Sequence, residues 1–189
     1  MHPPFTIQSL GNADSPRVVG LILPIQQQEF NVPITLDGQP DLVDIESAYY
    51  SSGGHFWGAV ENGTGQLLGT IALIAIGHHS GALRKMFVRK EYRGKEFGIA
   101  QRLMETLIAY GENKGIFTIY LGTIHSMKAA HRFYERNRFT TIDKADLPAY
   151  YPNMSTDNLY YYRTLDKPMF HEDDRRSRDT GDRNAAHPA

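Results

Sequence analysis

Leu83-Arg84-Lys85-Met86-Phe87-Val88-Arg89-Lys90-Glu91-Tyr92-Arg93-Gly94-Lys95-Glu96-Phe97-Gly98-Ile99-Ala100 passes from strand formers, through a basic turn with two glycines, straight into helical periodicity. Such a turn collects free backbone N–H groups and the positive end of a helix dipole at one spot. Gly94 and Gly98 let a ligand come close to the backbone, and Arg93 and Lys95 add positive charge that Glu96 partly opposes. The spot suits a phosphate group; the competing reading is a helix start whose glycines merely permit tight packing. The chain contains neither G-x-x-x-x-G-K-[ST] nor G-x-G-x-x-G, so neither usual nucleotide loop is present.

Upstream of this turn the period is that of a sheet. Residues 55–61 and 66–76 are rich in strand formers, and Asn62-Gly63-Thr64-Gly65 between them is a hairpin signal. With residues 82–88 they make an antiparallel meander. Downstream, Ile99, Leu103 and Leu107, with Ala100, Met104 and Ile108 beside them, mark a long amphipathic helix ending at Lys114-Gly115. Residues 116–123 then read as a strand, 126–136 as a short helix, and 139–142 and 159–165 as late strands.

Nearer the start, residues 6–10 form a weak strand. A helix follows from about Ser15-Pro16, with Val18, Val19, Leu21, Ile22, Ile25 and Phe30 at helical spacing, and Pro24 is expected to kink or end it. Residues 31–40 have loop chemistry. Asp41 is expected to begin a second helix with Leu42, Ile45 and Tyr49 on one face. The sum is a mixed α/β fold.

At 189 residues one domain is expected, with a net charge of −1 that argues against general affinity for nucleic acid or an anionic membrane. Without cysteine there is no disulfide, thiolate metal site or cysteine nucleophile. The opening residues lack a secretory pattern, so a cytoplasmic home is the default. The longest apolar run, residues 67–76, is about half the ~20 residues of a spanning helix and reads as a buried strand. Residues 168–189 have little to bury and are expected to form a flexible polar tail.

The turn resembles the coenzyme A signature of the GNAT superfamily of N-acetyltransferases, [QR]-x-x-G-x-[GA]. Lys95-Glu96-Phe97-Gly98-Ile99-Ala100 fits it with lysine in place of Gln or Arg. A second stretch, Met127-Lys128-Ala129-Ala130-His131-Arg132-Phe133-Tyr134-Glu135-Arg136-Asn137-Arg138-Phe139, is similar to the family's N-x-x-A-x-x-[FL]-Y-x-x-x-G-F. Ala130, Phe133, Tyr134 and Phe139 are in place, Met127 stands for an Asn that often contacts the cofactor, and Arg138 stands for a Gly that allows an unusual turn. The resemblance covers about residues 5–165.

It implies a central, mostly antiparallel sheet flanked by helices, with residues 1–167 as the acetyltransferase domain and one splayed strand holding acyl-CoA. It also implies acetyl transfer from acetyl-CoA to a primary amine by direct attack in a ternary complex, with no metal. Met86, Phe87 and Val88 would hold the pantetheine arm and the thioester carbonyl. Arg93, Gly94, Lys95, Glu96, Phe97, Gly98, Ile99 and Ala100 would hold the pyrophosphate, with Met127 and Ala130 alongside. The acceptor would be a small molecule or a peptide, and a homodimer is compatible with the family.

Tyr134, with a reference pKa near ~10, would protonate the leaving thiolate, reference pKa about 8.5; the alternative is a core residue of a short helix. Glu46 and His125 are candidates for a base, and neither is assigned. The eight histidines show no metal-binding spacing. Tyr49, Tyr50, Phe56, Trp57, Tyr150 and Tyr151 either wall an acceptor pocket or fill the core. A different class of function, a noncatalytic acyl-CoA binding module or sensor, uses the same phosphate turn.

Overall fold

A computed structural model describes residues 4–166. The expected tail, residues 168–189, lies outside them. Seven strands form one sheet in the order β1-β2-β3-β4-β5-β7-β6, with β1 Phe5–Ser9, β2 His55–Glu61, β3 Leu67–Ala75, β4 Ser80–Val88, β5 Thr118–Thr123, β6 Thr140–Ile142 and β7 Leu159–Thr164. Every neighbouring pair is antiparallel except β4 with β5.

Alternation along the strands feeds two cores. Phe56 joins Leu10, Val18, Ile22, Ile45 and Tyr49 on one face, under helix α1, Ser15–Pro24. Trp57 joins Leu68, Ile71, Leu73 and Leu121 on the other, under helices α2, Ile99–Asn113, and α3, Lys128–Arg136. In α2 the buried Ile99, Leu103, Met104 and Leu107 recur at the spacing of one helix face. Of the aromatics weighed as a pocket wall, Tyr49, Phe56 and Trp57 are therefore core, while Tyr150 is exposed and stacks on His78.

Pro24 ends the α-helix, as expected: it is the last residue of α1, and the chain continues into a π-helical turn, Ile25–Glu29. One early expectation is corrected. Asp41 does not start a continuous helix; Pro40–Leu42 is a 3-10 turn and Glu46–Tyr50 a π turn. Leu42, Ile45 and Tyr49 still bury one face, so packing of short turns meets the demand that the apolar spacing set. No helix among the described residues is long and apolar enough to cross a membrane.

Candidate active site

The strands β4 and β5 pair at three positions only: Ser80 with Thr118, Gly81 with Ile119 and Ala82 with Tyr120. Beyond them β4 runs on to Val88 and β5 to Thr123 without pairing to each other. Parallel strands that separate in this way leave backbone polar groups facing an open wedge instead of a neighbour. The wedge is a cleft whose walls include Leu83, Met86 and Phe87 of β4, Gly122 and Thr123 of β5, and Tyr134 of α3.

A bulge shapes the β4 wall. The register with β3 shifts between Thr70 and Ala72, and Lys85 opposite takes φ +51°. The Thr70 hydroxyl donates to the Lys85 carbonyl at 2.7 Å and pins the bulge. The Lys85 ammonium is buried, donating to Gln39 Oε1 at 2.6 Å and lying 3.2 Å from Asp41 Oδ2. Burial pulls its pKa down, and the Asp41 charge opposes that. Gln39 and Gln26 exchange side-chain hydrogen bonds of 3.1 and 2.9 Å. Lys85 thus fastens the segment that follows α1 to the sheet, and Val32 and Ile34 of that segment close the cleft on one side.

Beyond β4 comes a 3-10 turn, Lys90–Tyr92, and then the glycine turn. Gly98 caps α2 at φ +68°, in the left-handed region, and its Cα faces open space. The first bond of the helix runs from the Arg102 N–H to the Gly98 carbonyl at 3.0 Å. The amides of Ile99, Ala100 and Gln101 lie outside that ladder and stay available to an anion. The Ile99 side chain itself is buried in the core, so only its backbone can serve a ligand.

Arg93 is committed to the protein. Its guanidinium donates to the Val88 carbonyl (2.8 Å) and to both oxygens of Glu29, whose pKa that bond lowers. It clamps the turn to the end of the first helical segment, and its charge is largely spent there. Lys95 and Glu96 are exposed, and the Glu96 carboxylate folds against Gly94.

Tyr134 of α3 belongs to the core and also faces the cleft. Its ring lies in the core, centroids 5.9 Å from those of Phe139 and Tyr161. The same residue lines the cleft, and its hydroxyl has no hydrogen-bond partner among the described residues. Burial first, and the charge of Asp157 second, raise its pKa, so it stays protonated at neutral pH.

Met127 caps α3 and accepts a weak bond from the Thr123 hydroxyl on its sulfur, 3.9 Å. Ala130 packs against the core. Arg138 takes φ +64°, so the turn expected of glycine forms with an arginine in it, closed by Phe139 N–H on the Tyr134 carbonyl at 3.0 Å.

Neither candidate base is in the cleft. Glu46 accepts from the Asn12 amide at 3.2 Å, and His125 is exposed, its backbone N–H donating to Asn158. The carboxylate that does line the cleft, Asp157, sits in the segment before β7. Sequence spacing could not find it, because it reaches the wedge only through the pairing of β7 with β5. Its one signal was Gly122, where any side chain would take the space that the Asp157 carboxylate fills. Arg84, also buried, donates to Tyr151 and Pro152 and lies 3.7 Å from Asp157. Among the described residues no cluster of metal-ligating side chains occurs.

The family model of the acetyltransferase (GNAT) family matches residues 22–139. No curated protein gave a significant match. Among solved structures, a GNAT-family acetyltransferase of Staphylococcus aureus Mu50 is 39% identical, with a TM-score of 0.82 over 86% of this chain and 100% of that one. An acetyltransferase of Streptococcus agalactiae 2603 is 28% identical, with a TM-score of 0.80 over 85% and 98%. PaiA N-acetyltransferase of Thermoplasma acidophilum, in complex with coenzyme A, shares the fold at 16% identity and a TM-score of 0.65 over 86% and 99%. The parted strands, the glycine-capped helix and these likenesses agree: the chain belongs to the GNAT acetyltransferase family.

Proposed function

We propose that this protein transfers the acetyl group of acetyl-CoA to a primary amine by direct attack within a ternary complex. The observation that carries the reading is the unpaired wedge between β4 and β5, with Tyr134 on its wall and the open start of α2 at its end. The groups present fit the cosubstrate. The edge of Met86, Phe87 and Val88 that faces away from β3 has no strand opposite it, and it offers backbone groups to an extended amide-containing arm. Gly98 and the amides of Ile99 and Ala100 suit the pyrophosphate, with Gly94, Lys95, Glu96 and Phe97 forming the approach and Met127 and Ala130 the far side. A neighbour of the same fold, the Thermoplasma protein, carries coenzyme A.

Acetyl-CoA supplies the thioester. The amine nitrogen bonds to its carbonyl carbon, the C–S bond breaks, and the sulfur takes a proton. Tyr134 supplies that proton, and the nitrogen, which gives up an N–H proton on becoming an amide, restores it. Burial and the Asp157 charge keep the phenol protonated until the thiolate leaves, and the same cleft favours the protonated thiol over the thiolate. Backbone N–H groups on the open edge of β4 stabilise charge on the carbonyl oxygen.

Tyr134→Phe keeps the ring in its core position and deletes only the hydroxyl. Expected is a fall in kcat of about 10² to 10⁴, with acetyl-CoA affinity and melting temperature close to wild type. Turnover within a few-fold of wild type removes Tyr134 from the chemistry. Tight coenzyme A binding with no thiol release across a panel of amines replaces the enzyme with a sensor.

A further inference from the structure

Asp157 is in an unusual position for a carboxylate. Its side chain is nine-tenths buried, with a relative exposure of 10%, and neither oxygen receives a hydrogen bond among the described residues. Buried polar groups are normally satisfied, and one left bare is costly enough to need a reason. The obvious partner is already occupied: Arg84 gives its donors to Tyr151 and Pro152, and its nearest approach to Asp157, 3.7 Å, is too long for a hydrogen bond. Lys85, on the same strand, is bound to Gln39 and Asp41. The carboxylate lies flat against Gly122, which has no side chain to displace it, and it lines the same cleft as Tyr134.

We propose that Asp157 captures the acceptor as an ammonium, and that the acceptor is a primary amine on an apolar stem without a carboxylate next to the nitrogen. This rests on the acetyltransferase reading above and names its substrate class. The missing donors at Asp157 are those an ammonium brings. The stem is matched by Val32, Ile34, Leu83 and Met154, which make the larger part of the cleft wall apolar beside the polar Gln26, Thr123 and Thr156. An α-carboxylate is disfavoured, because it would sit beside Asp157 while Arg84 and Lys85 give hydrogen bonds to other groups.

Capture also prepares the nucleophile. In a water-poor cleft the proton of an ammonium–carboxylate pair shifts readily to the oxygen: an N–H bond breaks, an O–H bond forms, and a neutral amine faces a neutral acid. Burial already raises the Asp157 pKa, against the pull of Arg84 and Lys85, which favours that shift. The proton leaves to water when the product departs.

The probes are 2-phenylethylamine and phenylalanine, which share amine and ring and differ in the carboxylate. Binding is measured by calorimetry with and without saturating coenzyme A, and turnover by thiol release. Wild type is expected to bind and acetylate 2-phenylethylamine and to reject phenylalanine. Asp157→Asn should weaken 2-phenylethylamine binding by about 10- to 100-fold while acetyl-CoA affinity stays near wild type. Gly122→Ala, which puts a methyl group where the carboxylate lies, should do the same and guards against a folding defect in either variant. Binding to wild type should strengthen as pH rises through the Asp157 pKa, and that limb should vanish in Asp157→Asn. The groups facing Asp157 are Arg84 and Lys85 of β4, Tyr134 of α3 and Tyr151; burial raises the pKa of both phenols. Unchanged amine affinity in both folded variants, or equal binding of phenylalanine, overturns the proposal. Asp157-dependent amine binding without any thiol release upholds it and overturns the acetyltransferase reading instead.

Discussion

From β1 to β4 each strand is antiparallel to the next and paired along most of its length, whereas β4 and β5 run parallel and pair at three positions. Both arrangements meet on β4. One edge of that strand is held by β3 and its bulge is pinned by Thr70; the other edge opens into the cleft. Cohesion and the proposed chemistry are therefore divided across the width of a single strand. The residues that would handle substrate sit on an open edge because the opposite edge is fixed.

The paired half should carry stability and not chemistry. Leu73 of β3 is fully buried between the meander and α2. Leu73→Ala is expected to lower unfolding free energy by about 2 to 5 kcal/mol in denaturant titrations, with coenzyme A affinity of the folded protein unchanged. A matching loss of affinity would mean that the two edges of β4 are coupled.

Much of the paired half was readable because its determinants are local. Strand alternation, the Asn62-Gly63-Thr64-Gly65 turn and the spacing of Ile99, Leu103 and Leu107 placed β2, β3, β4 and α2 within a few residues. Tyr134 and the glycine turn were readable through the family motifs. What escaped depends on distant pairing. The insertion of β7 between β5 and β6 brings Asp157 to Gly122, and no local pattern encodes that meeting. The partner of Arg93 is Glu29, 64 residues away, so a guanidinium that looks free in sequence is bound in the fold. Pro24 ends α1 as expected, but the π-helical turn beyond it, with Ile25 packed in the first core, had no local signal.

A smaller effect is expected where α3 turns into β6. Arg138 adopts φ +64°, a region in which a side chain is strained. Arg138→Gly should raise stability by about 0.5 to 1 kcal/mol in thermal melts. A loss of stability would show that the arginine side chain contributes more than the strain costs.

The division along β4 can be observed residue by residue through amide hydrogen exchange with and without coenzyme A. Ligand seated in the wedge should slow exchange at residues 86–88 and 99–101 and leave the amides of β1, β2 and β3 at their unliganded rates. Slowing that is spread evenly over the sheet, or that leaves the open edge of β4 and the start of α2 untouched, would contradict the placement of coenzyme A between β4 and β5.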